Sequence, residues 1–273
     1  MRFILLLLFT INLFSYDRII ALSPAINEII YALDSGDKIV GNTSFCNYPK
    51  EAQNKPKVGG YFSPSLEKIL SLKPDMVIMQ HSSIKLSKKL NRLGIETKVL
   101  KLKRLNDIKD TIKIVGDVLG KRTQAKTILD NLNQKLKDIK NITKNKKILM
   151  VIGHNLNLEK RIFVAGQNLY FDDIINISGN INAFRSKRVG QPILNMENII
   201  ATNADIIILL APFKSKKSLS DNDLISPWLK LPINASKTKS IYILDKEYAG
   251  ISSHRLIYFL EDFKGFLQDA KSR

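Results

Sequence analysis

Apolar, β-branched runs recur along the chain at residues 18–22, 38–41, 76–80, 97–100, 147–153, 162–165, 206–210 and 240–244, each ended by a turn or polar residues. Short continuous runs of this kind suit strands buried on both faces, as in parallel sheets covered by helices. Helical spacing of apolar positions fills most of the intervals. The alternation predicts an α/β fold with mainly parallel sheets.

The interval 106–141 departs from this rhythm. A first helix is expected over 106–118, closed by Leu119-Gly120, and Thr123 is placed to cap a second. In that second segment Ala125, Ile128, Leu129, Leu132, Leu136 and Ile139 fall at three- and four-residue steps, one apolar helix face. Over 123–141 it would run roughly 28 Å at 1.5 Å per residue. Lying mid-chain between two α/β halves, it reads as a rigid helix joining two lobes. An ordinary crossover helix within one large sheet is the alternative.

An internal repeat favours two lobes. Residues 65–79 align without gaps on 195–209, with Glu67/Glu197, Ile69/Ile199, Asp75/Asp205 and Ile78/Ile208 identical. Each copy reads as a short helix, a turn and a buried strand. Generic helix–strand units can share such a pattern without common origin.

The first residues carry Arg2, an apolar run from Phe3 to Phe9 prolonged by Ile11, Leu13 and Phe14, and the small Ser15. That combination predicts a secretory signal peptide over 1–15, its core too short to span a bilayer. A buried first strand is the competing reading. The expected organisation is then an N-terminal lobe over 16–105, helices over 106–143 including the joining helix, and a C-terminal lobe over 144–273. Cys46 is the single cysteine, so no intrachain disulfide can form, and none lies where a lipid would be attached. A periplasmic location without a lipid anchor is expected, and a monomer.

The net charge of +18 first suggests nucleic acid. Export and the even spread of lysines, without a basic block interleaved with aromatics, argue instead for a generally basic surface. The chain has no Gly-rich phosphate loop, no G-x-S-x-G elbow and no H-E-x-x-H, so nothing commits it to catalysis.

Several residues are candidates for binding. Glu67 and Glu197 occupy the same first-turn position of the two repeated helices. A carboxylate there favours the helix N-terminus by about 0.3–1 kcal/mol and needs no further reason. A matched pair on two lobes also suits a partner carrying two arginines. His81 and His154 directly follow strands and His254 lies in the turn after the last one. Carboxyl ends of strands are where open α/β sheets bind ligands. Each histidine is a ligand or metal contact, or a satisfied structural residue. Phe45, Tyr48, Tyr61, Phe62 and Tyr248 fall in loops after strands, suiting a flat, partly apolar ligand or simple loop packing. Arg255 is placed to pair with a ligand carboxylate or phosphate. Trp228 reads as helix-end packing.

Ser23-Pro24-Ala25 with Glu28, then Val58-Gly59-Gly60-Tyr61-Phe62-Ser63-Pro64 leading into Leu66-Glu67-Lys68-Ile69 and Lys73-Pro74-Asp75, resemble the iron-chelate and vitamin B12 periplasmic binding proteins, the solute receptors of ABC importers. The resemblance covers nearly all of the chain after the signal and is more specific in the first lobe. It implies two Rossmann-like lobes joined by one long helix, a ligand in the cleft between them, and little closure on binding. It implies that Glu67 and Glu197 meet arginines on the two permease subunits. Corrinoid-binding members place aromatics at positions matching Phe45, Tyr61, Gln80 and Gln191, of which two are aromatic here. Some ferric-chelate members complete the metal's coordination with cleft histidine or tyrosine, for which His81, His154 and Tyr248 stand as candidates.

The expectation is therefore a receptor for a metal chelate, a cobalamin-type corrinoid or a ferric siderophore, with no intrinsic cofactor and a ligand that itself carries iron or cobalt. Its ligand contacts would be Phe45, Tyr61, His81, Gln191, Tyr248 and Arg255. The rivals are a receptor for a bare transition metal held by His81 and His154, and an exported hydrolase or chelatase.

Overall fold

A computed structural model of the chain describes residues 16–186 and 190–273; the expected signal segment 1–15 lies outside them. The first sheet contains β1 (Ile19–Ala21), β2 (Ile39–Asn42), β3 (Met76–Gln80) and β4 (Glu96–Leu100), all parallel in the order β2-β1-β3-β4. Helices α1 (Pro24–Ala32), α2 (Leu66–Ser71) and α3 (Ile84–Arg92) alternate with these strands. The chain then passes through α4 (Leu105–Val118) and α5 (Arg122–Asp138) to a second sheet.

That sheet contains β5 (Lys147–Ile152), β6 (Ile162–Val164), β7 (Ile181–Asn182), β8 (Ile193–Leu194), β9 (Ile206–Leu210) and β10 (Ile241–Leu244). Its order is β10-β9-β5-β6-β8, with β7 beside β5; the β5–β6 and β6–β8 pairs are antiparallel and the rest parallel. Its helices are α6 (Tyr170–Ile177), α7 (Met196–Thr202), α8 (Asp221–Leu229), α9 (Asn234–Lys237) and α10 (Leu256–Ser272). Two sheets of mainly parallel strands, each with its own helices, make an α/β fold of two lobes.

Side-chain alternation explains how the sheets are buried. Ile19, Ala21, Met76 and Ile78 point into one core with Ile148, Met150, Ile206 and Ile208 of the other lobe. The intervening Ile20, Val77 and Met79 face a smaller core with Ile69 of α2 and Leu90 of α3. Leu149, Val151, Ile207 and Leu209 face a third with Ile199 and Trp228. The largest core therefore runs through both lobes, built around α1, α4, α5, α6 and α10. Helix α4 packs against α1 of the first lobe and α6 of the second, while α5 lies along α4 and α10. Helices α4 and α5 pack along each other at the junction between the lobes. Helix α5 begins at Arg122, so Thr123 lies inside its first turn, where its carbonyl accepts from Thr127 Oγ1, and is not the cap.

The repeat has a structural meaning. Ser65 and Asn195 are both N-caps, accepting from the backbone N–H of Lys68 and Asn198 at 3.3 and 2.9 Å. Lys73 and Asn203 both take left-handed backbone conformations, φ 45° and 40°, in the turn that follows. Asp75 accepts from the N–H groups of Asp17 and Arg18 at 2.8 and 3.0 Å, and Asp205 from that of Lys147 at 2.8 Å. Each aspartate thus ties the foot of one strand to the next.

Candidate ligand-binding cleft

A cleft of about 890 Å³ opens between the lobes, lined by residues from both. Its walls come from the carboxyl ends of the strands: Pro24 and Ala25 beyond β1, Gln80 and His81 at β3, Leu100 and Lys101 at β4, Phe213 beyond β9, and Glu247 beyond β10. Both parallel sheets thus present the edge at which α/β proteins hold ligands.

The first lobe supplies most of the aromatic surface. Phe45 and Tyr48 lie in the segment after β2, at 59% and 37% exposure. Tyr61 and Phe62 sit at the tip of a loop pinched by an antiparallel bridge between Gly59 and Pro64. Gly59 has φ 115°, and a Cβ there would come within 2.8 Å of the Ser63 carbonyl oxygen, so only glycine allows this turn. The two rings meet edge to face at 4.5 Å, and the Tyr61 hydroxyl donates to Gln80 Oε1 at 2.6 Å. Tyr61 is therefore held while Phe62, 88% exposed, stands free at the mouth. Large apolar rings left in water beside a cavity mark a binding surface. The second lobe adds Leu169, Tyr170, Gln191 and Phe213. Burial pushes the Tyr170 phenol far above its ordinary range, so it stays neutral.

Of the residues singled out in the sequence, Phe45, Tyr61, His81, Gln191 and Arg255 line the cleft. Tyr248 and His154 are not among its lining residues. The Tyr248 hydroxyl donates to Asp262 at 2.6 Å, and its ring lies 6.0 Å from the Arg255 guanidinium, in the layer behind. His154 stands beside a cation, its Nδ1 3.3 Å from Lys217 Nζ. Burial, then Lys217, holds its pKa below the usual histidine value. His254, half-buried, is not among the cleft residues, and its pKa is pushed down to about 4 by desolvation and then by Arg255. Only His81 of the three histidines faces the cavity. No group of three His, Cys, Asp or Glu side chains among the described residues is arranged to hold a metal ion.

Arg255 reaches the cleft with its charge already paired. Its Nε donates to Glu28 Oε2 at 3.0 Å and its NH2 group to Glu28 Oε1, and the Ser253 hydroxyl donates to Glu28 Oε2. Its guanidinium carbon lies over the Tyr48 ring, 3.8 Å from the centroid. Lys101 and Lys103, beyond β4, also line the cleft and are exposed; sequence reasoning passed over them as ordinary surface lysines. Phe213 was missed as well. Its signal was its place just beyond a buried strand, the criterion that found His81.

Glu67 and Glu197 are exposed in the first turns of α2 and α7, one on each lobe. Cys46 is fully buried, and burial pushes its thiol pKa up, which leaves it unreactive.

Two α/β lobes around one hairpin junction, with an aromatic cleft at the carboxyl ends of both sheets, define a bilobal solute-binding protein. The family model described as periplasmic binding protein matches residues 19–248, and the chain belongs to that family. It is 29% identical over 254 residues to the uncharacterized ABC transporter substrate-binding lipoprotein YvrC of Bacillus subtilis, covering 90% of this chain and 78% of the relative. It is 28% identical over 268 residues to the vitamin B12-binding protein of Vibrio vulnificus, covering 94% and 93%. The apo structure of the periplasmic heme-binding protein RhuT from Roseiflexus sp. RS-1 superposes with a TM-score of 0.75 at 24% identity, over 94% of this chain and 100% of that one, a likeness of fold.

Proposed function

We propose that this protein captures a flat metal chelate, carrying iron or cobalt, in the inter-lobe cleft and delivers it to the permease of an ABC importer. The observation that carries this reading is the one-sided aromatic wall of Phe45, Tyr48, Tyr61 and Phe62 facing Phe213 across about 890 Å³. That volume is at the upper end of small-molecule sites. An offset ring stack buries a planar ligand face without demanding directional polar contacts. Relatives that bind vitamin B12 and heme support the ligand class.

Within this reading Phe45 and Tyr61 cover the ligand face, Gln191 meets its polar rim from the second lobe, and Tyr248 and Arg255 support the floor. His81 stands in the wall as the one cleft histidine able to reach a chelated iron, which favours a ferric chelate over a corrinoid. Glu67 and Glu197 dock the loaded protein by meeting arginines on two permease subunits. The protein acts as a periplasmic monomer without a lipid anchor, and ATP is consumed by its partners.

The test is equilibrium dialysis of the ligand-free protein against haemin and against cyanocobalamin, read by ligand absorbance. Retention of either at micromolar concentration or below is expected. Tyr61→Ala should weaken it about tenfold, for loss of ring contact worth 1–2 kcal/mol. His81→Ala should shift the visible spectrum of a bound iron chelate and leave a corrinoid unaffected. Failure of folded protein to retain any chelate offered would overturn the proposal.

A further inference from the structure

Glu28 lies in the middle of α1 in the first lobe, and Arg255 caps α10 in the second, 227 residues away. Both are almost wholly buried, at 2% and 6% exposure. The carboxylate accepts three hydrogen bonds: one oxygen from Arg255 and the other from Arg255 and Ser253. A buried pair of this kind is weak as a source of stability, because desolvation offsets much of the attraction, but it is geometrically strict. Above it lies Tyr48, a cleft residue held from both lobes. Its carbonyl accepts from Asn27 Nδ2 at 2.9 Å, one residue before Glu28, and its ring rests on the Arg255 guanidinium. Asn27 in turn accepts from Asn42 Nδ2 at 3.0 Å, so the network reaches the end of β2.

We infer that Glu28 and Arg255 are positioning residues: a buried pair that fixes one lobe against the other and, through the guanidinium face, holds the Tyr48 ring as part of the ligand platform. With Nε and NH2 both engaged by Glu28, the Arg255 guanidinium carries the Tyr48 ring, its centre 3.8 Å from the ring centroid. It shapes the site through Tyr48 instead of pairing with a ligand anion. The inference rests on the cleft being the ligand site, but its first half concerns the ligand-free protein and can be tested without any ligand.

The experiment uses the full mature chain with Cys46→Ser and spin labels at two exposed positions, Lys50→Cys on the first lobe and Lys237→Cys on the second. Pulsed dipolar spectroscopy of the ligand-free protein should give one narrow distance. Arg255→Lys, which keeps the charge but loses the fork, and Glu28→Gln should each broaden or shift it. An unchanged distribution in both folded variants would overturn the inference, whatever the ligand proves to be. The second arm is a double-mutant cycle on affinity for haemin or cyanocobalamin with Arg255→Lys and Tyr48→Leu. Each single change should weaken binding about fivefold, the scale of a partly buried cation–π contact. The double variant should lose no more than either alone, because Arg255 acts through Tyr48. Additive losses would mean that Arg255 touches the ligand directly, and would overturn the second half.

Discussion

His254 shows how burial decides the chemistry of a residue that the sequence presents only as a possible ligand. Its imidazole is pushed down to about pKa 4, first by desolvation and then by the neighbouring Arg255 cation. The unfolded chain takes up a proton near pH 6.5, the folded protein only near 4. Stability is therefore fully present above about pH 6.5 and falls as pH drops through the window down to about 4. Urea unfolding at pH 7 and pH 4.5 should show about 2 kcal/mol more acid loss for the natural protein than for His254→Asn. Equal losses would mean the imidazole is not held neutral. Tyr61 makes the opposite case: its place in Gly59-Gly60-Tyr61-Phe62 already marked it, and the hydrogen bond to Gln80 explains how a loop ring can be held in place at a site. Arg255 falls between the two. Its presence at the cleft was legible in the chain, whereas its buried partner Glu28 was not, since nothing local connects positions 227 residues apart.

Among elements, the α4–α5 hairpin was half legible. Apolar spacing located both helices, because one face must be buried whatever the fold. Which of them contacts both lobes depends on where α1 and α6 lie, and periodicity is silent about that. The hairpin's close approach occurs at Gly116, where an added Cβ would stand 2.5 Å from the Ala125 Cβ. Helix propensity alone favours alanine over glycine by about 1 kcal/mol. The rigid contact outweighs it, since overpacking a tight interface costs about 1–3 kcal/mol. Gly116→Ala should therefore lower the urea midpoint, and Ala125→Gly should restore part of the loss in the double variant. A raised midpoint for Gly116→Ala alone would show that the helices can separate freely. The short strands β7 and β8 could not be read at all, because two residues carry no period.

At the scale of the whole molecule, one core passes through both lobes, so the lobes should not unfold separately. Trp228, the single tryptophan, is fully buried in the outer core of the second lobe and reports on that lobe alone. Its fluorescence and the far-ultraviolet circular dichroism should give coincident urea transitions. Two separated midpoints would show the junction to be weaker than its packing implies. Docking is a property of the same scale, since Glu67 and Glu197 matter together only if the lobes hold a fixed spacing. Glu67→Lys with Glu197→Lys should leave chelate retention unchanged and reduce importer-dependent uptake by at least tenfold, as charge reversal turns attraction into repulsion. What the chain determined by itself was what local pattern carries: the longer strands and helices, the paired helix–turn–strand units and the aromatic loops. Those follow from backbone periodicity and neighbouring residues, which the linear order contains. Only the tertiary structure decided which side chains share the cleft, that His81 faces it while His154 and His254 do not, and that the Arg255 charge is neutralised from the opposite lobe. These depend on distances between residues far apart in the chain, and such distances exist only once the core has packed.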